Sequence, residues 1–255
     1  MERASDQDLL QAYVGILNDF DIDRFRTAQK GLAGIFLPSA PSDEVKLMIV
    51  GQETRGWIGA FEKIYDMPLS DYASESMNKH RALLSGPAKR SQFGHFQRSA
   101  AKKLQGIQGS VAWHNLFAIS YKQKSPIRSD AITLISALSA KLLLKQIEIL
   151  KPRSILFVTG ASYDKYLKAC FGDQIKDSHV IESKRLWRFR IGDALCFRTT
   201  HPRFAAGNSH REQALREILI ELGAKPNSLG SANAHRGMPE EKSDPLFFNQ
   251  TPNLF

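Results

Sequence analysis

Short apolar runs that end in glycine or in a polar residue are the feature that most constrains the fold of this chain. Residues 45–50 and 154–159 are two such runs, closed by Gly51 and Gly160, and residues 110–117 are a third. Each is typical of a strand buried in a sheet. Helical patterns separate the runs, which predicts a mainly parallel sheet covered by helices on both faces.

A β-hairpin is predicted towards the C-terminal end, with strands at 186–192 and 194–200 around Gly192-Asp193, a favoured turn dipeptide. Residues 53–92 lack a clear period, and we expect a long irregular active-site excursion there. Asp130 is the predicted cap of a long helix. The predicted helices cover residues 6–20, 23–33, 99–105, 130–150, a segment ending near 171, and 209–222.

The resulting prediction is a single α/β domain over residues 1–223. It has a central, mainly parallel four-stranded sheet flanked by helices, with the C-terminal hairpin at its edge. In residues 224–255, 13 of 32 positions are Pro, Gly, Asn or Ser, a composition that favours a flexible tail.

Composition excludes several classes of protein. The sequence has no apolar stretch of the roughly 20 residues that span a membrane, and its first residues lack a signal pattern, so we expect a cytoplasmic protein without membrane contact. Cys170 and Cys196 are far apart, which argues against a disulfide framework, a structural zinc or an iron-sulfur cluster. We therefore expect no metal and no cofactor.

The net charge of +9 is unevenly distributed along the chain. No acidic residue occurs between Ser76 and Ser129. The ten basic residues of this stretch are Lys79, Arg81, Lys89, Arg90, Arg98, Lys102, Lys103, Lys122, Lys124 and Arg128. Such a surface predicts a polyanionic partner, most simply DNA, and the aromatic residues interleaved with it suit stacking on bases. The alternative is a solvated lysine-rich face that maintains solubility.

Two ionisable residues follow predicted strands directly. Glu53 comes after the strand at 45–50, and His201 after the strand at 194–200. The carboxyl ends of parallel strands are where open α/β sheets bind ligands. A carboxylate and a histidine in one crevice suit hydrolysis of a bond whose transition state is positive on one side and negative on the other.

Three motifs in this order resemble those of the uracil-DNA glycosylase superfamily, and the correspondence spans roughly residues 45–204. They are Gly51-Gln52-Glu53, Trp113-His114-Asn115-Leu116 and Thr200-His201-Pro202. The resemblance implies a monofunctional DNA glycosylase that excises a flipped-out base. It assigns Glu53 to water activation and stabilisation of the sugar cation, Asn115 to the pyrimidine edge, and His201 to the departing base. The further substrate-binding candidates are Gly51, Gln52, Arg55, Trp57, Trp113 and His114.

Each assignment has a simpler alternative: a loop glutamate, a strand-ending asparagine, a packed histidine. The resemblance also implies that Arg203 and Phe204 enter the base stack after flipping. The segment Gly160-Ala161-Ser162 could bind a phosphate at a helix N-terminus, or be a tight turn without a ligand. Lys102 and Lys103 are the remaining DNA-binding candidates.

The first motif departs from the best-known family pattern, Gly-Gln-Asp-Pro-Tyr-His. Glu53 is one methylene longer than the aspartate, and Arg55 stands where a tyrosine blocks substituents at the pyrimidine 5-position. Gly56 follows in place of the histidine. We therefore expect a 5-substituted pyrimidine rather than plain uracil as substrate, in repair or in defence against modified phage DNA. Arg55 could instead contact a phosphate.

Three other functions remain open: a non-catalytic nucleic-acid-binding module on the same fold, a uracil-excising repair enzyme, and a hydrolase of small nucleosides. The acid-free stretch argues against the last, because a free nucleoside needs no extended cationic surface. We expect a monomer. Gln250 with Leu254-Phe255 resembles peptides that dock on replication clamps, which suggests a weak contact of the tail with a replication protein.

Overall fold

The structure is a computed structural model. It describes residues 6–27, 30–86, 91–104, 107 and 109–223. The predicted tail at 224–255, including its proposed clamp-binding end, lies outside the described residues.

A six-stranded mixed sheet forms the centre of the described part. The strands are β1 (Val45–Gly51), β2 (Ser110–Asn115), β3 (Ser154–Phe157), β4 (Ile175–Glu182), β5 (Leu186–Ile191) and β6 (Ala194–Arg198). Their order is β2-β1-β3-β6-β5-β4. The strands β2, β1, β3 and β6 are mutually parallel. In contrast, β5 runs antiparallel to β6, and β4 runs antiparallel to β5.

Helices cover both faces of the sheet because the inner strands bury both sets of alternating side chains. The helices are α1 (Asp6–Asp19), α2 (Leu69–Ser85), α3 (Gln92–Lys103), α4 (Ile132–Leu150), α5 (Asp164–Phe171) and α6 (Asn208–Glu221). Met48 and Val50 of β1 belong to a core shared with α1, α2, α4 and α5. Leu47 and Ile49 face the other way, into a core with α3 and α6.

The predicted α/β class with flanking helices is confirmed, but the predicted sheet is wrong in strand number and in the place of the hairpin. The hairpin around Gly192-Asp193 exists as β5 and β6. However, β6 is an inner strand that pairs with β3, and β4 occupies the edge. The sequence does not indicate that β4 is a strand, because the side chains of β4 are mostly exposed and two irregularities interrupt its pairing with β5.

The region 53–92 is more regular than predicted. It contains a short 3-10 helix, Phe61–Tyr65, and the 17-residue α2. The second predicted helix, 23–33, is also wrong: in the part of this segment that the structure describes, residues 23–27 and 30–33, the helical residues belong to the single 3-10 turn Ile22–Phe25. Asp130 does not cap α4, whose N-cap position is Ala131. Among the described residues, no helix has the length and apolar character needed to cross a membrane.

The strand register sets the position of the candidate site. Gly51 pairs with Asn115, Val50 with Phe157, and Phe157 with Arg198. The four parallel strands therefore end almost level with one another. The loops that follow β1, β2, β3 and β6 meet at one edge of the sheet, as expected of a ligand crevice in this class of fold.

Candidate active site

Glu53 is held at this edge by a hydroxyl relay from the loops after β2 and β3. The Tyr163 hydroxyl lies 3.1 Å from Glu53 Oε2 and 2.8 Å from Ser125 Oγ. A phenol has one proton and an ionised carboxylate only accepts. The consistent arrangement has Tyr163 donating to Glu53 and the Ser125 hydroxyl donating to the Tyr163 oxygen. One carboxylate oxygen is thus fixed, and Oε1 makes no hydrogen bond within the described part of the chain.

Two opposing effects act on the pKa of Glu53, and the net result is a raised pKa. Burial raises the pKa of the Glu53 carboxyl above its ordinary value. The Tyr163 hydrogen bond and the positive charges of Arg55 and Arg203 offset part of this rise. A half-buried carboxylate with a raised pKa has the properties of a general base.

His201 carries its proton on a defined nitrogen. The backbone N–H of Arg203 donates to His201 Nδ1 at 3.2 Å, so Nδ1 is the acceptor and the neutral ring carries its proton on Nε2. Burial lowers the pKa of His201 to about 4, and the charges of Arg203, Arg211 and Arg55 act in the same direction. At neutral pH, His201 is therefore an uncharged hydrogen-bond donor.

Arg211 fixes the backbone that carries His201. This arginine of α6 is buried, and its guanidinium points at oxygen atoms of the loop after β6. It donates to the carbonyls of Thr200 (3.2 Å), His201 (3.2 Å) and Phe204 (3.0 Å), to Thr200 Oγ1 (2.8 Å), and to the side chain of Asn208. These bonds tie the loop after β6 to α6 at several points.

Asn115 ends β2 beside the first motif. Its Nδ2 donates to Thr54 Oγ1 at 2.5 Å, and its Oδ1 accepts from Trp113 Nε1 at 3.2 Å. An amide has two N–H groups and two lone pairs, so one donor and one acceptor position remain for a ligand. A methyl group on Gly51 would lie only 2.6 Å from Asn115 Oδ1, so the glycine is required for this packing.

A chain of aromatic rings connects the core with His201. Phe93, in the first turn of α3, lies 5.1 Å from the Trp113 ring and 6.2 Å from the His201 ring. The Trp113 ring in turn lies 5.2 Å from the Phe36 ring. Phe93 is half-buried, so it can offer part of its ring to a planar ligand between Asn115 and His201.

Arg55 and Arg203 are exposed guanidinium groups that act on both ionisable residues. Each favours the charged form of Glu53 and the neutral form of His201. Arg55 is two residues after Glu53, and Arg203 is two residues after His201, so each arginine belongs to the loop that carries one of the two ionisable residues. Phe204, next in the chain, is 51% exposed and lies under the Arg203 guanidinium at 4.7 Å. An exposed aromatic residue at the mouth of the crevice can contact a large partner.

Two predicted substrate-binding residues lie outside the crevice. Trp57 is buried and donates from Nε1 to Ser76 Oγ of α2 at 2.7 Å. His114 is fully buried on the face opposite to Asn115, where its Nδ1 lies 2.8 Å from Gln146 Oε1 of α4. Both side chains therefore point away from the crevice, because side chains alternate along a strand and Trp57 follows a turn that points it into the core.

Other predicted residues have mainly structural contacts. Gln52 is buried and donates from Nε2 to the Thr159 carbonyl at 2.6 Å, which ties the loops after β1 and β3 together. The Gly160 N–H donates to the Thr199 carbonyl at 2.9 Å, so it is not free for a phosphate. Ser162 is exposed nearby.

Lys102 and Lys103 lie at the far end of α3 from Phe93. At 1.5 Å per residue the separation along the helix is about 13 Å. Lys103 also forms an ion pair with Glu212 of α6. The structure therefore does not bring these two lysines to the crevice.

Sequence reasoning missed Tyr163, Ser125 and Arg211 as site residues. None belongs to a recognised motif, and the main partner of Tyr163 is distant in sequence: Tyr163 and Glu53 are 110 residues apart. Phe93 is one of the aromatic residues of the acid-free stretch for which base stacking is predicted, together with Phe96, Trp113 and Phe117.

Within the described ranges, no group of three or more His, Cys, Asp or Glu side chains could hold a metal ion. No protein-family model matches the chain, and no curated protein matches it either. A proposal for its function must therefore depend on the geometry of the crevice.

Proposed function

We propose that this protein is a DNA glycosylase, a divergent member of the uracil-DNA glycosylase superfamily, which hydrolyses the N-glycosidic bond of a flipped-out pyrimidine. The observation that carries the proposal is the convergence of Glu53, Asn115 and His201 at one sheet edge, with Glu53 oriented by Tyr163 and His201 presenting Nε2–H. The order of the three motifs along the chain supports it further.

The proposed reaction consumes one water molecule. The bond between C1′ and the base nitrogen breaks with its electron pair moving to the base, which leaves a sugar with oxocarbenium character. Negative charge on Glu53 stabilises this cation. Water then adds to C1′ and gives a proton to Glu53, and the base anion acquires a proton on release. Positioned proton transfer of this kind is typically worth about 10²- to 10⁴-fold in rate.

His201 stabilises the other half of the transition state. Its Nε2–H donates to the base oxygen on which negative charge develops, and a well-aimed donor of this type contributes about 3 kcal/mol. A neutral ring suits this role, since it donates without transferring its proton. Asn115 offers the remaining donor and acceptor of its amide to the pyrimidine edge, and Phe93 stacks on the base.

Arg55 supports a substrate with a polar group at the pyrimidine 5-position. The side chain is exposed and free of ion pairs in the described part of the protein, and it lies close enough to influence both Glu53 and His201. No bulky ring closes the pocket at this point of the motif. An arginine offers five N–H donors, which suits hydroxymethyl or glucosyl oxygens.

Excision assays on matched oligonucleotides test this proposal. We expect faster base release from 5-hydroxymethyluracil or glucosylated hydroxymethylcytosine than from uracil, because Arg55 gains hydrogen bonds only with a substituted base. Abasic sites are measured by alkaline cleavage. Faster release of plain uracil would contradict the substrate class while leaving the glycosylase proposal intact.

Two variants at one position sharpen the same assay. Arg55→Tyr introduces a ring that blocks the 5-substituent, and we expect it to shift the preference towards uracil. Arg55→Gln removes the charge without adding a ring, so it should weaken excision of the substituted base without improving that of uracil.

Tyr163→Phe is predicted to move the acid limb of the pH–rate profile. Glu53 acts as a carboxylate, so excision falls as the pH drops through its pKa. Tyr163 donates a hydrogen bond that lowers this pKa, and its loss raises the pKa further. We expect the acid limb to shift to higher pH, with kcat more affected than KM.

The matched control is Tyr166→Phe on α5, whose ring packs on Phe117 at 4.9 Å. It removes a phenol hydroxyl from the same region without touching Glu53. An equal shift of the acid limb in both variants would show that Tyr163 does not act through Glu53.

A further inference from the structure

A tight turn at residues 121–124, which we name the rim turn, lies beside the crevice. Tyr121 N–H donates to the Lys124 carbonyl at 3.0 Å, and Lys124 N–H donates to the Tyr121 carbonyl at 2.8 Å. Between them stand Lys122 and Gln123. The turn is anchored from outside by the Lys122 N–H, which donates to the Gly31 carbonyl at 2.8 Å.

Contacts on both sides place the rim turn at the mouth of the crevice. A methyl group on Gly56 would lie 3.9 Å from Gln123 Cγ, so this side chain rests against the loop that carries Arg55. On the other side, the turn leads directly into Ser125, which bonds with the Tyr163 hydroxyl that contacts Glu53.

The rim turn has a strained backbone. Lys122 and Gln123 both have left-handed φ angles, 46° and 56°. Two-residue turns of this geometry favour Asn-Gly, because side chains with a Cβ pay a conformational cost there. Strain of this kind persists mainly at functional sites. The sequence keeps a lysine and a glutamine where smaller residues would give a more stable turn.

The two lysines of the rim turn have available charges. Lys122 and Lys124 are exposed, and neither forms an ion pair with a carboxylate in the described part of the chain. The Lys122 ammonium lies over the Tyr121 ring at 5.1 Å, which restricts its position without neutralising it. The nearest acidic residue in sequence on the C-terminal side is Asp130.

We propose that the rim turn is a phosphate-contact site, at which Lys122 and Lys124 bind phosphodiester groups of the nucleic-acid strand that enters the crevice. Arg203 belongs to the loop after β6, which also carries His201, so the strand would be contacted from a second loop as well. The inference rests on the proposed function only in that the crevice receives a nucleotide of such a strand.

The salt dependence of binding tests this site. Each phosphate contact contributes about 0.7 to 0.9 to the slope of log K against log salt concentration. In a Glu53→Gln background, which permits binding without turnover, Lys122→Gln with Lys124→Gln should lower the slope by about 1.4 to 1.8 on single- or double-stranded oligonucleotides. The control removes two exposed lysines elsewhere, Lys141→Gln and Lys176→Gln, and should leave the slope unchanged.

A second pair of variants separates charge from backbone strain. Gln123→Gly relieves the left-handed strain and keeps both lysines, so we expect Tm to rise by about 2 to 4 °C with an unchanged slope. Adding Lys122→Asn should keep the higher Tm but lower the slope by about 0.7 to 0.9, as one contact is lost.

The outcomes distinguish this inference from the proposed function. An unchanged slope in the Lys122 and Lys124 variant, or an equal loss in the control pair, overturns the phosphate site even if excision is normal. The other informative result is a lower slope in the Lys122 and Lys124 variant, while the protein that retains Glu53 excises none of the tested bases. This result supports the phosphate site and contradicts the glycosylase proposal.

Discussion

Glu53→Gln is expected to reduce base excision by about 10²- to 10⁴-fold, the range that a positioned general base contributes. Glutamine has nearly the same shape, and its amide oxygen can still accept the Tyr163 hydrogen bond. It cannot accept a proton from water or offset the charge of the sugar cation. Single-turnover assays, with enzyme in excess over the oligonucleotide, measure the effect on the chemical step alone.

Folding and nucleic-acid affinity should survive this substitution. Burial raises the pKa of Glu53, so a neutral residue at this position removes a desolvation cost and should not lower Tm. Glu62→Gln is the matched control, because it removes an exposed carboxylate from the same connection between β1 and α2. Unchanged excision in Glu53→Gln would contradict the role of Glu53 as the general base. The absence of excision in both the unmodified protein and Glu53→Gln would favour the non-catalytic nucleic-acid-binding module.

The inner strands were predictable because their signal is local. Residues 45–50 are apolar except for Lys46, since β1 is covered on both faces, and Gly51 marks its end. In contrast, α2 was hidden because two of its core positions hold Ser76 and His80. Ser76 becomes suitable for the core only through partners elsewhere in the chain: its hydroxyl accepts from the Leu37 N–H at 2.9 Å and from Trp57 Nε1 at 2.7 Å.

The same distinction between local signals and contacts formed on folding applies to the residues of the candidate site. Glu53, Asn115 and His201 follow strands whose direction and order the sequence indicates, so their meeting at one edge could be predicted. Tyr163 and Arg211 could not, because their roles depend on the side chains they contact after folding. Both act by fixing groups that the motifs already name, and neither spacing nor composition encodes such contacts.

Arg211→Met is expected to reduce excision by about 10²- to 10³-fold, the loss typical of removing one donor to a developing oxyanion. Arg211 does not touch the base in this proposal; it is a positioning residue that holds the backbone of Thr200, His201 and Phe204. Without its guanidinium the three carbonyls lose a shared donor, and the His201 Nε2–H no longer has a fixed direction. Arg211→Lys should recover little, since an ammonium cannot reproduce the planar fork.

The pKa of His201 provides a second measurement, which would not change if the role of Arg211 were purely structural. The Arg211 charge is one of the causes that lower it to about 4, after burial and the charge of Arg203. In Arg211→Met, NMR titration of the imidazole should therefore show a pKa closer to the ordinary value of about 6.5. Below that value the ring becomes charged, so excision should also become more sensitive to acid than in the unmodified protein.

Arg216→Met is the control on the same helix, since Arg216 is an exposed arginine of α6. It removes one positive charge without touching the loop after β6, and it should leave both excision and the His201 titration unchanged. If Arg211→Met has the same His201 pKa and the same excision rate as the unmodified protein, the loop keeps its conformation without the guanidinium. Gly207 would then be the remaining constraint, because any side chain there would collide with Thr200 Oγ1 at 1.7 Å.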